Sequence, residues 1–190
     1  MVNLTRIYTR TGDDGTTALG DMSRTTKTDP RLIAYADANE ANAAIGVAIA
    51  AGGLPDDVSA VLTRVQNDLF DVGADLATPV VEDPKYPPLR VLQSYIDRLE
   101  ADCDLHLESL EKLRSFILPG GTAGAAYLHL ACTVVRRAER STWAAIEVHG
   151  DSVNPLTAKY LNRLSDLLFI LARSANKERG DVLWVPGENR

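Results

Sequence analysis

The punctuation between Asp29 and Lys177 constrains this chain more than anything else in it. Asp29-Pro30 pairs an N-cap residue with proline at the first helical position, and Asn154-Pro155 repeats the device. The first predicted helix runs from Pro30 to about Ala51 and stops at Gly52-Gly53. Its stripe of Leu32, Ala34, Ala38, Ala41, Ile45 and Ala48 is built from mostly small residues, which suits close helix contact. A second helix spans about Asp56 to Ala77. Val58, Leu62, Val65, Leu69, Val72 and Leu76 recur there every three or four residues, and Thr78-Pro79 ends the pattern.

The proline-rich stretch from Val80 to Pro88 reads as a loop. A third helix is expected from about Leu89 to His106, with Leu92, Tyr95, Ile96 and Leu99 inward. A connection through Leu110, Leu113 and Phe116-Ile117-Leu118-Pro119-Gly120-Gly121 leads to a fourth helix from about Thr122 to Gly150. The fifth begins at Asn154-Pro155, ends near Lys177 and carries a seam of Leu161, Leu164, Leu168, Leu171 and Ala175. Strand signals are few. These elements predict an all-α chain folded as a five-helix antiparallel bundle. The expected organisation is one domain over residues 1–190. It comprises an N-terminal segment (1–28), the bundle (29–177) and a polar tail (178–190) with an apolar Val182-Leu183-Trp184-Val185 patch.

Bulk properties narrow the function. The chain has 190 residues, enough for a sizeable core, and a formal net charge of −6. That balance argues against coating a nucleic acid, so any anion site must be a local basic pocket. No apolar run is long enough to span a bilayer and the start lacks a signal-peptide apolar region, which predicts a cytoplasmic protein. Cys103 and Cys132 form neither a metal pattern nor a disulfide framework. No Gly-x-Ser-x-Gly occurs, and no His follows a Glu by three residues.

Three clusters carry chemistry. Thr9-Arg10-Thr11-Gly12-Asp13-Asp14-Gly15-Thr16-Thr17 combines glycines, hydroxyls and an arginine before the first helix. Glycines let backbone N–H groups turn toward an anion, and hydroxyls and Arg10 add donors. A plain turn between extended pieces is the competing reading. On the fourth helix, Arg136, Glu139 and Arg140 share a face, where Glu139 can brace guanidinium groups that reach phosphate; a solvated charge run is the alternative. On the fifth, Asn162, Asp166, Phe169 and Arg173 form a mixed stripe beside the leucine seam. The amide and carboxylate of Asn162 and Asp166, one turn apart, suit a nucleotide edge or a hydrated Mg²⁺, or else an amide bonded between helices. Asp68, Asp71 and Asp75 read as a wet face, as do Asp97, Glu100 and Asp104. His129 and Cys132 read as packing residues.

Several motifs occur in fixed order: Ile7-Tyr8-Thr9-Arg10-Thr11-Gly12-Asp13-Asp14-Gly15, Asn39-Glu40-x-Asn42, Phe70-Asp71-x-Gly73-x-Asp75-Leu76-Ala77, Phe116 through Gly121, Arg136-Arg137-Ala138-Glu139-Arg140 and Asn162-Arg163-Leu164-Ser165-Asp166. Together, over roughly Ile7 to Asn176, the chain resembles the PduO-type ATP:cob(I)alamin adenosyltransferases. The resemblance implies a homotrimer of five-helix bundles with active sites at subunit interfaces. It implies transfer of the 5′-deoxyadenosyl group of ATP to cob(I)alamin with release of tripolyphosphate, Mg²⁺ accompanying the nucleotide. A reductase and an adenosylcobalamin-dependent enzyme are the implied partners, with no nucleic acid and no membrane.

By position, the resemblance gives Thr9, Arg10, Thr11, Gly12, Thr17 and Lys27 to the triphosphate. It gives Arg136, Arg137, Glu139, Arg140 and Asn162 to ATP, with Arg136 and Phe116 as the residues that drive the reaction. Phe116 would lie below the corrin, and Asn39 and Cys132 beside it. Many relatives carry Asp and Arg at those last two positions, paired across the subunit interface. This chain lacks both partners, which avoids a buried unpaired charge. Asp14, where some relatives carry Lys, lowers the charge of the phosphate loop. A cobalamin-binding or carrier module that uses ATP without efficient turnover is the alternative function.

Overall fold

The computed structural model describes residues 8–84 and 86–188, so Ile7 of the first motif lies outside them. Five α-helices are present among these residues: α1 (Pro30–Ala51), α2 (Asp56–Leu76), α3 (Gln93–Leu107), α4 (Ala123–His149) and α5 (Leu156–Ala175). The proline punctuation acts as the sequence suggests. Asp29 caps α1 by accepting from the Arg31 amide at 2.8 Å, and Asn154 Oδ1 accepts from the Leu156 amide at 3.1 Å. Thr122 caps α4 by accepting from the Ala125 amide at 3.1 Å.

Cross-helix contacts fix the directions. Asp29 meets His149 and Asp37 meets Ser141, so α4 runs antiparallel to α1. Glu139 meets Asn162 and Cys132 meets Ser165, which orients α5 against α4. Asn42 and Gln66 exchange hydrogen bonds between α1 and α2. α1, α2, α4 and α5 form the bundle, and α3 packs on α5. The small-residue stripe of α1 is its core face: Ala34, Ala38, Ala41, Ile45 and Ala48 are fully buried. They lie where α1 packs most closely, against α4, whose Ala131, Val135, Ala138 and Ala145 are also fully buried. At about 25 cal/mol per Å² of apolar surface removed from water, such close-packed faces are the main source of stability. No described helix is long and apolar enough to cross a membrane.

Two expectations need correction. The third helix starts at Gln93, not Leu89, because Arg90 and Val91 are held extended by Asp75. The Val91 amide donates to Asp75 Oδ2 at 2.8 Å, leaving Leu89 and Leu92 exposed and Val91 in the core. In the N-terminal segment, consistent with few strand signals, β1 (Thr16–Ala18) and β2 (Arg24–Thr26) form a short antiparallel hairpin, with Thr17 opposite Thr25.

The second correction concerns the acidic residues of α2. Asp68 and Asp75 are buried rather than wet, and Asp71 accepts from the Tyr95 hydroxyl at 2.8 Å. Asp75 pairs with Arg90 at 2.5 Å and accepts from the Asn154 amide at 2.7 Å. Asp68 accepts from the Tyr160 hydroxyl at 3.2 Å and from Arg98 at 3.3 Å. Burial pushes the Asp68 carboxyl above its ordinary range and the Tyr160 hydroxyl well above its own. A helical-period rule sees only that these residues are polar; partners on other elements let them go inside.

Candidate active site

The N-terminal cluster is a loop mounted on the hairpin. Arg10 and Gly15 both have positive φ, at 62° and 82°, which folds the segment into consecutive turns. Thr9 and Thr11 hydroxyls lie 2.9 Å apart. Asp14 does not face outward as an isolated charge. Its carboxylate accepts from the Thr16 hydroxyl at 2.7 Å and the Thr16 amide at 3.0 Å, and those bonds hold it below the ordinary carboxylate range. Gly12 has a steric reason. A Cβ there would lie 3.1 Å from both Lys27 Nζ and the Thr16 carbonyl oxygen, so glycine lets the Lys27 ammonium close over the loop. Thr9, Thr11, Gly12 and Lys27 are thus brought together on the loop, Arg10 sits within its first turn, and Thr17 lies on β1 opposite Thr25.

Arg24 is the residue that sequence reading misses here. From β2 it donates to the Thr11 carbonyl at 2.9 Å and to the Thr16 hydroxyl, so it shapes the loop from behind. Its strand position was hidden because the segment around it is too short and polar to show a period of two. The hairpin is tied to the bundle by the Thr25 hydroxyl, which donates to Asp29 at 2.8 Å, and by the Gly20 amide, which donates to the Ala77 carbonyl at 2.8 Å.

The arginine cluster on α4 divides in two. Arg137 turns toward α1, where Glu40 and Asp37 hold it. Arg136 and Arg140 are exposed and make no hydrogen bond or ion pair among the described residues. Glu139 accepts from Asn162 Nδ2 at 3.2 Å, which joins the α4 and α5 motifs side by side. The rest of the α5 stripe is spoken for. Asp166 takes Arg163 at 2.6 Å, and Arg173 is buried, with Nε on Asp181 at 2.9 Å and a second nitrogen on the Glu111 carbonyl at 2.8 Å. Arg173 is therefore a tie between α5, the tail and the α3–α4 connection, not part of a nucleotide edge.

Phe116 projects from that connection with 77% of its surface exposed. The segment carrying it is held from both sides. Asn176, buried at the end of α5, accepts from the Thr122 amide at 2.9 Å and donates to the Gly120 carbonyl at 2.9 Å. Gly121 has φ 106°, and a Cβ there would fall 2.1 Å from Asn176 Oδ1, so the Pro119-Gly120-Gly121 turn is the seat for that amide. On the other side, the tail returns as a short extended segment with a single antiparallel bridge between Ile117 and Leu183. The Trp184 amide donates to the Phe116 carbonyl at 2.8 Å, and the Leu118 amide donates to the Val182 carbonyl at 2.8 Å. Phe116, Trp184 and Phe169 line a mainly apolar cavity of about 660 Å³. The Phe116 and Trp184 rings meet edge to face at 5.9 Å, and His129 packs the same way beneath Phe169 at 5.8 Å. Burial depresses the His129 imidazole.

Asn39 and Cys132 do not line this cavity. Asn39 sits on α1 toward Gly73 of α2, whereas Cys132 is buried against α5 with Sγ donating to the Ser165 carbonyl at 3.2 Å. Burial raises the Cys132 thiol, so the position is neutral.

Comparison with known proteins fits this geometry. A family model described as cobalamin adenosyltransferase matches residues 7–175. A corrinoid adenosyltransferase from Mycobacterium tuberculosis is 65% identical over 189 residues, covering 100% of this chain and 97% of that protein. One from Bacillus subtilis is 38% identical and covers 92% of this chain and 89% of its own length. A variant of the PduO-type ATP:corrinoid adenosyltransferase from Lactobacillus reuteri, solved with cobalamin and ATP, superimposes with a TM-score of 0.87 at 34% identity. That match covers 94% of this chain and 99% of the other. With a family model over residues 7–175 and full-length relatives at 65% identity, the chain belongs to the cobalamin adenosyltransferase family.

Proposed function

We infer that this chain transfers the 5′-deoxyadenosyl group of ATP to cob(I)alamin, giving adenosylcobalamin and tripolyphosphate. The observation that carries the residue assignment is the pair Arg136 and Arg140. They are two exposed guanidinium groups with no partner among the described residues, on a helix whose other arginine is fully engaged.

Cobalt(I) is itself a strong nucleophile, so no protein base is required. Its electron pair forms the bond to C5′ while the C5′–oxygen bond breaks and its electrons leave with tripolyphosphate. The protein's task is to hold C5′ in line and to steady the departing charge. Arg136, Arg140, Lys27 and the hydroxyls of Thr9, Thr11 and Thr17 serve the phosphates. Each charge-assisted bond in a water-poor site is worth about 1.5–3 kcal/mol. Glu139 and Asn162 orient the nucleoside side, and Arg137 stiffens α4 against α1. No group of three or more His, Cys, Asp or Glu side chains among the described residues could hold a metal. Mg²⁺ enters on the nucleotide phosphates and adds charge neutralisation there. Phe116 lies under the corrin, excludes a lower axial ligand and makes cobalt(II) easier to reduce.

The site spans more than one copy of the chain. Arg137 lies twelve residues before His149, the α4 residue beside the hairpin anchor, a rise of about 18 Å. That rise between the arginine level and the hairpin anchor supports a site shared between copies. Trp143, 44% exposed, lies three residues after Arg140 on the outward side of α4, as an interface requires. A homotrimer supplies the loop of one subunit to the arginines of the next. The product passes to an adenosylcobalamin-dependent enzyme, and a cytoplasmic reductase supplies cobalt(I).

The test is the visible spectrum of the corrin after mixing protein, ATP, Mg²⁺ and chemically reduced cobalamin. Appearance of the alkylcobalt spectrum with tripolyphosphate supports the assignment. Binding without spectral change would make the chain a carrier.

A further inference from the structure

We propose that the cavity between the α3–α4 connection and the C-terminal tail is a subsite for the phosphoribosyl-base arm of the corrinoid. The proposal rests on the reading that the corrin lies over Phe116. An aromatic ring under cobalt displaces the base that would otherwise coordinate there. That base is tethered to the macrocycle by a phosphodiester and a ribose, so it needs a neighbouring place to go.

A cavity of about 720 Å³ adjoins the Phe116 cavity and shares Leu113 and Arg114 with it. That size falls within the usual range of about 300–1,000 Å³ for small-molecule sites. Its lining answers each part of the arm. Lys112, Arg114 and Lys177 make no hydrogen bond or ion pair among the described residues, and three uncommitted cations stand out in a chain of net charge −6. They suit a phosphodiester. The fourth cation, Arg173, is neutralised by Asp181. Asp181 Oδ2 takes that guanidinium, while Asp181 Oδ1 is buried without a donor among the described residues. A buried carboxylate oxygen without a donor is costly, and a ribose hydroxyl would satisfy it. Leu110 and Leu183 supply an apolar wall for the base.

Cobinamide, the same corrin without this arm, separates the two sites. Steady-state KM values for cobalamin, cobinamide and ATP are compared in the wild type and in a Lys112→Glu/Lys177→Glu variant. Both lysines are exposed, so the fold is not at stake. The wild type is expected to favour cobalamin over cobinamide about tenfold in KM. The variant is expected to lose that preference with the cobinamide and ATP values unchanged. Equal wild-type KM values, or equal shifts for both corrinoids, would overturn the subsite alone. A rise confined to ATP would assign the basic cavity to nucleotide phosphate instead and would also overturn it. Wild-type protein that bound neither corrinoid would remove the main reading, and the subsite with it.

Discussion

Two sets of arginines in this molecule have opposite surroundings. Arg31, Arg90 and Arg173 are buried or largely so, and their nitrogens are committed. Arg31 donates to the Leu76 and Ser152 carbonyls at 3.0 Å each, and Arg90 donates to Asp75 and to the Thr78 and Pro79 carbonyls. Arg136 and Arg140 stand in solvent with none committed among the described residues. A guanidinium has five donors in a rigid fork. Where the protein consumes them, the residue holds loops and helix ends together. Where it leaves them free, they remain available to a polyanion. The same side chain therefore ties elements together at both ends of the bundle and is left free along its flank.

The sharpest way to break that contrast is to exchange the effects of the two sets. Arg136→Ala should lower kcat/KM by about 10²–10³-fold, as loss of a transition-state donor does, while urea unfolding stays within about 0.5 kcal/mol of wild type. Arg90→Ala should do the reverse. It leaves Asp75 as a buried unpaired carboxylate, costing about 3–5 kcal/mol in urea melts, with near-normal turnover per folded molecule. Swapped outcomes would erase the distinction.

Smaller effects sharpen it. Asn176→Ala removes the clasp of the Pro119-Gly120-Gly121 turn and leaves the Gly120 carbonyl and the Thr122 amide short of partners. A stability loss of about 1–3 kcal/mol is expected, with activity reduced through the misplaced Phe116 segment. Phe116→Ala should leave stability almost untouched, because the ring is mostly exposed. It should slow the reaction begun from cobalt(II) more than the one begun from cobalt(I), and equal slowing would make Phe116 a packing residue.

The mildest effect concerns pH. Burial works to raise the Asp29 carboxyl, but hydrogen bonds from the Arg31 amide, Thr25 and His149 outweigh it and hold the group below 3.8. A depressed carboxylate stabilises the fold above its unfolded value. That contribution is lost as pH falls below about 3.8 through the lower folded value. Acid titration of stability should therefore be shallower in Asp29→Asn than in wild type over that window.

The fold was readable because its signals are local. Asp29-Pro30 and Asn154-Pro155 set helix starts within two residues of those observed, and the small-residue stripe of α1 is the face that packs on α4. What stayed hidden depends on contacts distant in sequence. Asp75 looks like a solvated acid on α2 until Arg90 and Asn154, 15 and 79 residues away, are seen around it. Arg173 looks like part of a nucleotide stripe until the tail returns with Asp181. In the α4 motif, Arg136 and Arg137 are adjacent and indistinguishable in sequence, yet helical geometry points one outward and gives the other to Glu40. The turn-rich N-terminal loop was legible from its glycines and threonines, but its support by Arg24 was not.

The most direct measurement is calorimetric titration of ATP·Mg²⁺ into wild-type protein and into an Arg136→Ala/Arg140→Ala variant at matched salt. The two exposed guanidinium groups should account for at least a hundredfold in affinity, with helical content and unfolding midpoint unchanged. An unaltered dissociation constant in the double variant would contradict the account and leave those side chains as ordinary surface charge.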